Sequence, residues 1–258
     1  MRGVFALALG VLAVACGPPP APPVRVLFIG NSYTFENNLP VVFAELSKAG
    51  KHPVTVDMAA TGGWTLAQHV RAQATHDKLA AAVWTYVVLQ EQSLIPALPS
   101  QRDALMYPAV RGLADAARAR HIEPVLLLTW AYRNGYNAEG IDQYATMQAE
   151  IITGYLSIAD ELGLRVAPAG VAWQETLATD PSLELWESDG SHPSLAGSYL
   201  VACVLYATLH LESPEGLPGP SSLSASTVQH LQRAANAIVL GDRARWHIPP
   251  FTGGVTPR

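Results

Sequence analysis

The stretch VRVLFIGNSYTFENNLP, residues 24–40, reads as a buried strand that breaks at Gly30 and passes at once into Asn31, Ser32 and an aromatic, amide-rich run. Glycine permits a sharp turn, and a small hydroxyl follows it just past the strand's carboxyl end. Two readings are open for Ser32. Ser and Thr commonly cap helices, and Gly with Asn commonly makes turns. A serine at a strand end is also where an α/β protein can present a nucleophile.

Short apolar runs recur along the chain, at VTVDMAA (54–60), YVVLQEQ (86–92), EPVLLLTWAY (123–132) and RVAPAGVAW (165–173). Segments with helical spacing separate them. In IDQYATMQAEIITGYLSIADELG, residues 141–163, an apolar stripe runs through Tyr144, Met147, Ile151, Tyr155, Ile158 and Leu162, and Gly163 supplies the stop. Two further helices are expected, over about 193–211 and about 224–240. Alternating strands and helices, with strands apolar on both faces, predict an α/β protein: a three-layer α/β/α sandwich on a five-stranded parallel sheet. Residues 24–258 form one domain in this reading. Ligands of such sheets bind outside the carboxyl ends of the strands.

The 258 residues are 49% hydrophobic and 14% charged, enough to bury a full core. A net charge of −5 without a basic run gives no footprint for nucleic acid. The start, MRGVFALALGVLAVACGPPPAPP, joins Arg2 to an apolar segment too short to span a bilayer. Residues 1–15 are therefore expected to be an export signal. Cys16 after Ala13 and Ala15 resembles a bacterial lipobox, which implies a lipidated cysteine and a stiff Pro-rich linker over 16–23. The expected location is the cell envelope, held to a bacterial membrane by that lipid. Cys203, set among apolar neighbours, is expected in the core.

Polar groups gather at the predicted strand ends. The second strand leads into AATGGWTLAQHV, where Gly62 or Gly63 can bring a bare backbone N–H to an anionic oxygen, or simply make a tight turn. The third ends in LQEQS, where alternation puts Gln90 and Gln92 on one face and Glu91 on the other. Near the end, ESDGSHPSLAGSYL sets Asp189 three residues before His192, with Pro193 placed to open a helix. Asp189 can brace one imidazole nitrogen and leave the other for a serine, or the pair can be a turn former and a cap.

Together these blocks resemble the SGNH or GDSL hydrolase superfamily, esterases and lipases with a flavodoxin-like three-layer fold. Gly30, Asn31 and Ser32 match the first block, with Asn in the usual Asp place; Gly63 matches the second; Asp189 and His192 match the DxxH block. The third block departs: Gln92 stands where the family has an oxyanion Asn. The resemblance implies Ser32 as nucleophile, His192 as general base and then acid, and Asp189 orienting His192. The oxyanion donors would be the N–H groups of Ser32 and Gly63 and the Gln92 amide.

The expected activity is hydrolysis of carboxylic esters through an acyl-serine, on a small-molecule or carbohydrate ester, with sugar deacetylation as one form of it. Acyl transfer through the same intermediate is an alternative. A second class of reading is a non-catalytic surface lipoprotein that binds carbohydrate through Trp64, Trp130, Trp173 and Trp186. Glu91 and Glu187 as a glycosidase pair is a third. No cofactor is expected, and no metal, since the eight His residues contain no HExxH pair. His69 and His76 are expected on a solvated or amphipathic helix face.

Overall fold

The computed structural model describes residues 23–137 and 139–249. The signal, Cys16 and nearly all of the Pro-rich linker lie outside the described residues. Five strands form one parallel sheet: β1 Val24–Gly30, β2 Val54–Ala60, β3 Tyr86–Leu89, β4 Glu123–Leu127 and β5 Arg165–Ala167. Their order is β2-β1-β3-β4-β5. Strand order reverses between β1 and β3, so the crevice at that switch point is where this topology puts a ligand. Parallel register aligns Ile29 of β1 with Ala59 of β2 on one side and Leu89 of β3 on the other.

The helices are α1 Ser32–Phe35, α2 Leu39–Ala49, α3 Leu66–Arg71, α4 Gln73–Ala80, α5 Pro99–Gln101, α6 Tyr107–Arg118, α7 Tyr144–Leu162, α8 Ala169–Thr179, α9 Leu195–His210 and α10 Ala225–Gly241. α2, α8, α9 and α10 pack on one another over one face, and α3 and α6 meet on the other. The three-layer sandwich is thus as the alternation requires. α9 is buried on all sides from Ala196 to Leu209, because it lies between the sheet and its neighbours α2 and α10. Cys203 is fully buried there, and burial pushes its thiol far above the usual range. The stripe on α7 holds too, and Gly163 ends that helix in the left-handed conformation at φ 60°.

Several boundaries differ from the sequence reading; β4, for one, stops at Leu127 although its apolar run continues. β3 stops at Leu89, because Gln92 turns its N–H onto its neighbour's Glu91 carboxylate instead of continuing the ladder. Alternation therefore ceases before Gln90, and Glu91 is wholly buried along with Gln90. RVAPAGVAW is a strand only to Ala167. Pro168 ends it, and Gly170 lets α8 start against β4's exit, since a Cβ there would stand 1.9 Å from the Thr129 carbonyl oxygen. Finally, Pro193 does not open α9. It pairs with Trp186 in an antiparallel bridge, and Ser194 caps the helix by accepting the Gly197 N–H.

Candidate active site

The turn after β1 is fixed from three sides. Asn31 is buried and caps α1, its Oδ1 accepting the Tyr33 N–H at 3.1 Å. Its Nδ2 donates to the Trp64 carbonyl at 2.9 Å, tying this turn to the one after β2. Its own N–H donates to Gln90 Oε1 at 2.9 Å, and that oxygen also accepts the Thr34 hydroxyl at 2.9 Å. Gly30 makes this approach possible, since a Cβ there would lie 2.4 Å from both Gln90 Oε1 and Thr34 Oγ1. The cap is therefore Asn31. Ser32 is the first residue of the helix, and its hydroxyl is spared for another partner.

His69 holds the same turn from α3. Of the solvated or amphipathic face expected, it takes the inner side of an amphipathic helix and is buried: its Nε2–H donates to the Gly30 carbonyl at 2.8 Å, and its Nδ1 accepts from Thr75 Oγ1 at 2.8 Å. Burial lowers its proton affinity, so the ring is neutral with one tautomer set by its two partners. His76 stays half-buried, bonded to the Val70 carbonyl.

Ser32 Oγ lies 2.9 Å from His192 Nε2, and His192 Nδ1 lies 2.5 Å from Asp189 Oδ2. The other oxygen, Asp189 Oδ1, accepts the N–H groups of Ser191 and His192, each at 2.9 Å. Burial works against the charge on Asp189, but the bonds from His192 and the two backbone N–H groups outweigh it and hold the carboxyl at about 2. An ionised Asp189 makes Nδ1 the protonated nitrogen of a neutral ring. The Nε2 lone pair then faces the serine, the arrangement a general base needs.

The two loops that meet here are cross-linked beyond the Ser32–His192 contact. Tyr33 Oη and Ser191 Oγ are 2.8 Å apart, and Asn37 Nδ2 donates to the Pro193 carbonyl at 2.9 Å and to Ser198 Oγ at 3.0 Å. Under them stands a column of rings. Tyr33 stacks on Trp130 at 4.5 Å, Trp130 on Trp173 at 4.4 Å, and Trp173 meets Trp186 edge-on at 5.3 Å. Trp130 Nε1–H donates to the Ser191 carbonyl at 3.0 Å, so the column carries the Asp189–His192 loop. Trp130 and Trp173 are 0% exposed and Trp186 is 6%, which removes three of the four tryptophans from any sugar-stacking surface. Only Trp64 of the set is partly exposed.

The predicted oxyanion groups fall into two kinds. Gly63 sits in a turn closed by the Trp64 N–H on the Thr61 carbonyl at 3.1 Å, with φ at 72°, a value that favours glycine. Among the described residues, the N–H groups of Ser32 and Gly63 have no hydrogen-bond partner. Gln92 is engaged locally: its Oε1 accepts the Leu94 N–H at 2.8 Å, and its Nε2 donates to Ser93 Oγ at 3.2 Å, which leaves one amide hydrogen uncommitted. Glu91 is sealed inside, its Oε1 accepting the Leu66 N–H at 3.0 Å and the Gln92 N–H at 2.6 Å. Burial raises that carboxyl to about 7, the two N–H groups pulling it the other way. A carboxylate so enclosed cannot reach a glycosidic bond, which disposes of the Glu91–Glu187 pair. Among the described residues no cluster of His, Cys, Asp and Glu could hold a metal ion.

Comparison with known proteins fits this geometry. No protein-family model matches the chain, and no curated protein sequence matches it. Among solved structures, a protein from Slackia heliotrinireducens assigned to the SGNH hydrolases is 32% identical, with a TM-score of 0.62, over 73% of this chain and 100% of its own. The chain belongs to the SGNH hydrolases. A DUF4886 family protein from Bacteroides uniformis matches at 22% identity and a TM-score of 0.71, covering 85% of this chain and 96% of that one. An acetylxylan esterase from Geobacillus stearothermophilus shares the fold at 17% identity and a TM-score of 0.55, covering 71% and 92%.

Gln90, His69 and Asn37 were not assigned to the site from sequence, and Trp130, Trp173 and Trp186, read there as a sugar-binding alternative, instead support the site from within. The one legible signal among the first three was an amide at the end of a buried strand. Asn31, by contrast, now has a reason: an Asp there keeps the cap but sets an acceptor against the Trp64 carbonyl. Asn31→Asp is expected to cost about 1–3 kcal/mol of stability, the penalty for an unpaired buried acceptor. Calorimetry checks this, and an unchanged melting temperature would show that the bond to Trp64 is unimportant.

Proposed function

We propose that the chain is a serine esterase. The observation that carries the reading is the unbroken hydrogen-bonded line from Ser32 Oγ through His192 to Asp189. Ser32 Oγ attacks the ester carbonyl carbon as its proton passes to His192 Nε2, and the carbonyl oxygen becomes an oxyanion. The N–H groups of Ser32 and Gly63 receive that charge, with the free hydrogen of the Gln92 amide as third donor. Collapse breaks the ester C–O bond, and His192 returns the proton to the departing alcohol. Water then attacks the acyl-serine by the same route and releases the acid. Asp189, ionised throughout, offsets the charge of the imidazolium that forms in each half.

A fluorophosphonate probe is expected to label the wild type and not Ser32→Ala, and Ser32→Ala is expected to lose about a thousandfold or more in kcat. A folded wild type that takes no label would sink the reading.

For substrate, we favour a small acyl group on a sugar. Gly63 and Asp189 are exposed on the rim, and the neighbouring residues 132–137 present Tyr136 to solvent and anchor Tyr132 to Ser93 Oγ at 2.7 Å. The acetylxylan esterase with the same fold supports the direction of this choice. In a series of chromogenic esters from acetyl to palmitoyl, kcat/KM should fall as the chain lengthens. A maximum at long chains would overturn the choice.

Export and membrane attachment through Cys16 are proposed on the sequence alone. No helix among the described residues is long and apolar enough to cross a membrane. Cys16→Ala should move the protein from the membrane to the soluble fraction. Retention in the membrane would refute lipid anchoring.

A further inference from the structure

Glu91 is a buried carboxyl that the proposed chemistry does not use. It follows β3 directly, and one of its oxygens joins two separate pieces of the site. Oε1 accepts the N–H of Leu66, the first residue of α3 and three residues beyond Gly63, and also the N–H of Gln92. Its backbone is fastened as well: its N–H donates to Tyr155 Oη at 3.1 Å, and its carbonyl accepts Gln90 Nε2 at 2.6 Å. Gln90 is in turn the group that holds the Ser32 turn. Oε2 is buried and has no partner among the described residues. A half-satisfied carboxyl in the interior is a costly choice where a Leu or Met would pack. The cost is explained if the oxygen that is used does something no apolar side chain can.

We propose that Glu91 is a positioning residue for the oxyanion donors, binding the Gly63 turn to the Gln92 segment through a single carboxylate oxygen. This rests on the serine esterase reading above. Donors must be held within a fraction of an ångström of the developing charge to be worth their full effect, and both come from loops that no strand ladder fixes.

The clamp is tightest when Glu91 is ionised, because hydrogen bonds to a carboxylate are shorter and stronger than those to a neutral acid. The titratable group that faces it is the Tyr155 hydroxyl, from α7, whose own ionisation burial pushes far above the usual range. α3 offers the Leu66 N–H, and His69 on that helix is bonded to Gly30 and Thr75. The segment after β3 offers the Gln92 N–H, and no charged side chain contributes to the shift. Glu91 thus gains its proton as pH falls through about 7, and the clamp slackens. Stability moves the other way. A folded-state value above the ordinary 4.5 means the fold favours the protonated form, so this group's contribution falls as pH rises from 4.5 to about 7. Activity and stability therefore respond to the same proton with opposite signs, which a merely structural glutamate would not do.

The test is hydrolysis of p-nitrophenyl acetate by wild type, Ser32→Ala, Glu91→Gln and Glu91→Met from pH 5 to 9, with melting temperatures throughout. Glu91→Met, which has no acceptor, should lose about a hundredfold in kcat with KM changed by less than about threefold, as expected when only transition-state contacts are lost. Glu91→Gln keeps one acceptor oxygen and should stay within about tenfold of wild-type kcat at pH 8, since its bonds are neutral and weaker. Its pH profile should lose the fall in kcat, up to about tenfold, that wild type shows as pH drops through about 7. Its melting temperature should gain on wild type as pH rises. A folded Glu91→Met with wild-type kcat, or an unaltered acid limb in Glu91→Gln, overturns the proposal while Ser32→Ala remains inactive. If Glu91→Met does not fold, the acid limb of Glu91→Gln decides. Wild type no faster than Ser32→Ala would instead overturn the esterase reading, and this inference with it.

Discussion

A single amide oxygen, Gln90 Oε1, receives the Asn31 N–H and the Thr34 hydroxyl at the point where β1 gives way to α1. Its position depends on β3 lying next to β1, which only the β2-β1-β3 order provides, and on a glycine at 30 to let the two chains approach. With that contact made, the strand ends within one residue and the helix begins at Ser32. Asn31 is then free to use its side chain twice, as a cap and as a tie to the β2 exit. His69 completes the fixation by taking the last strand carbonyl, Gly30 O. The nucleophile is thus held mainly by polar groups that are themselves buried, where hydrogen bonds are least easily exchanged for water.

Two carboxyls near the crevice show how surroundings divide one functional group into two behaviours. Asp189 has both oxygens occupied, by an imidazole and two backbone N–H groups, and is held near the bottom of the carboxylate range. Glu91 has one oxygen occupied and one enclosed without a partner, and its proton is retained toward neutrality. The difference follows from solvation and donors, with no charged neighbour needed for Glu91.

Much of the architecture was legible in the sequence because strand alternation and the α7 stripe are periodic signals that a single chain displays. That Ser32, Asp189 and His192 could meet was legible for a different reason: each lies within two residues of a glycine at a strand or turn end, where a polar residue is conspicuous. What could not be read was the fate of side chains once periodicity stops. LQEQS has the outline of a strand, yet the Glu91 carboxylate captures the next N–H and ends it. RVAPAGVAW has an apolar outline common to strands and buried helices, and Pro168 with Gly170 decides between them. His69 and Asn37 act over long sequence separations, 39 residues to Gly30 and 156 to Pro193, which local pattern cannot reveal.

The column from Tyr33 to Trp186 has an optical consequence. Trp130 and Trp173 lie 4.4 Å apart with their planes within 8° of parallel, close enough for their electronic transitions to couple. Tyr33 sits on the other face of Trp130, next in sequence to Ser32, and Trp186 lies at the base of the loop that carries His192. The near-ultraviolet circular dichroism of the native protein therefore carries a signature of the floor beneath the serine. The molecule reports on the order of its own site without an added chromophore.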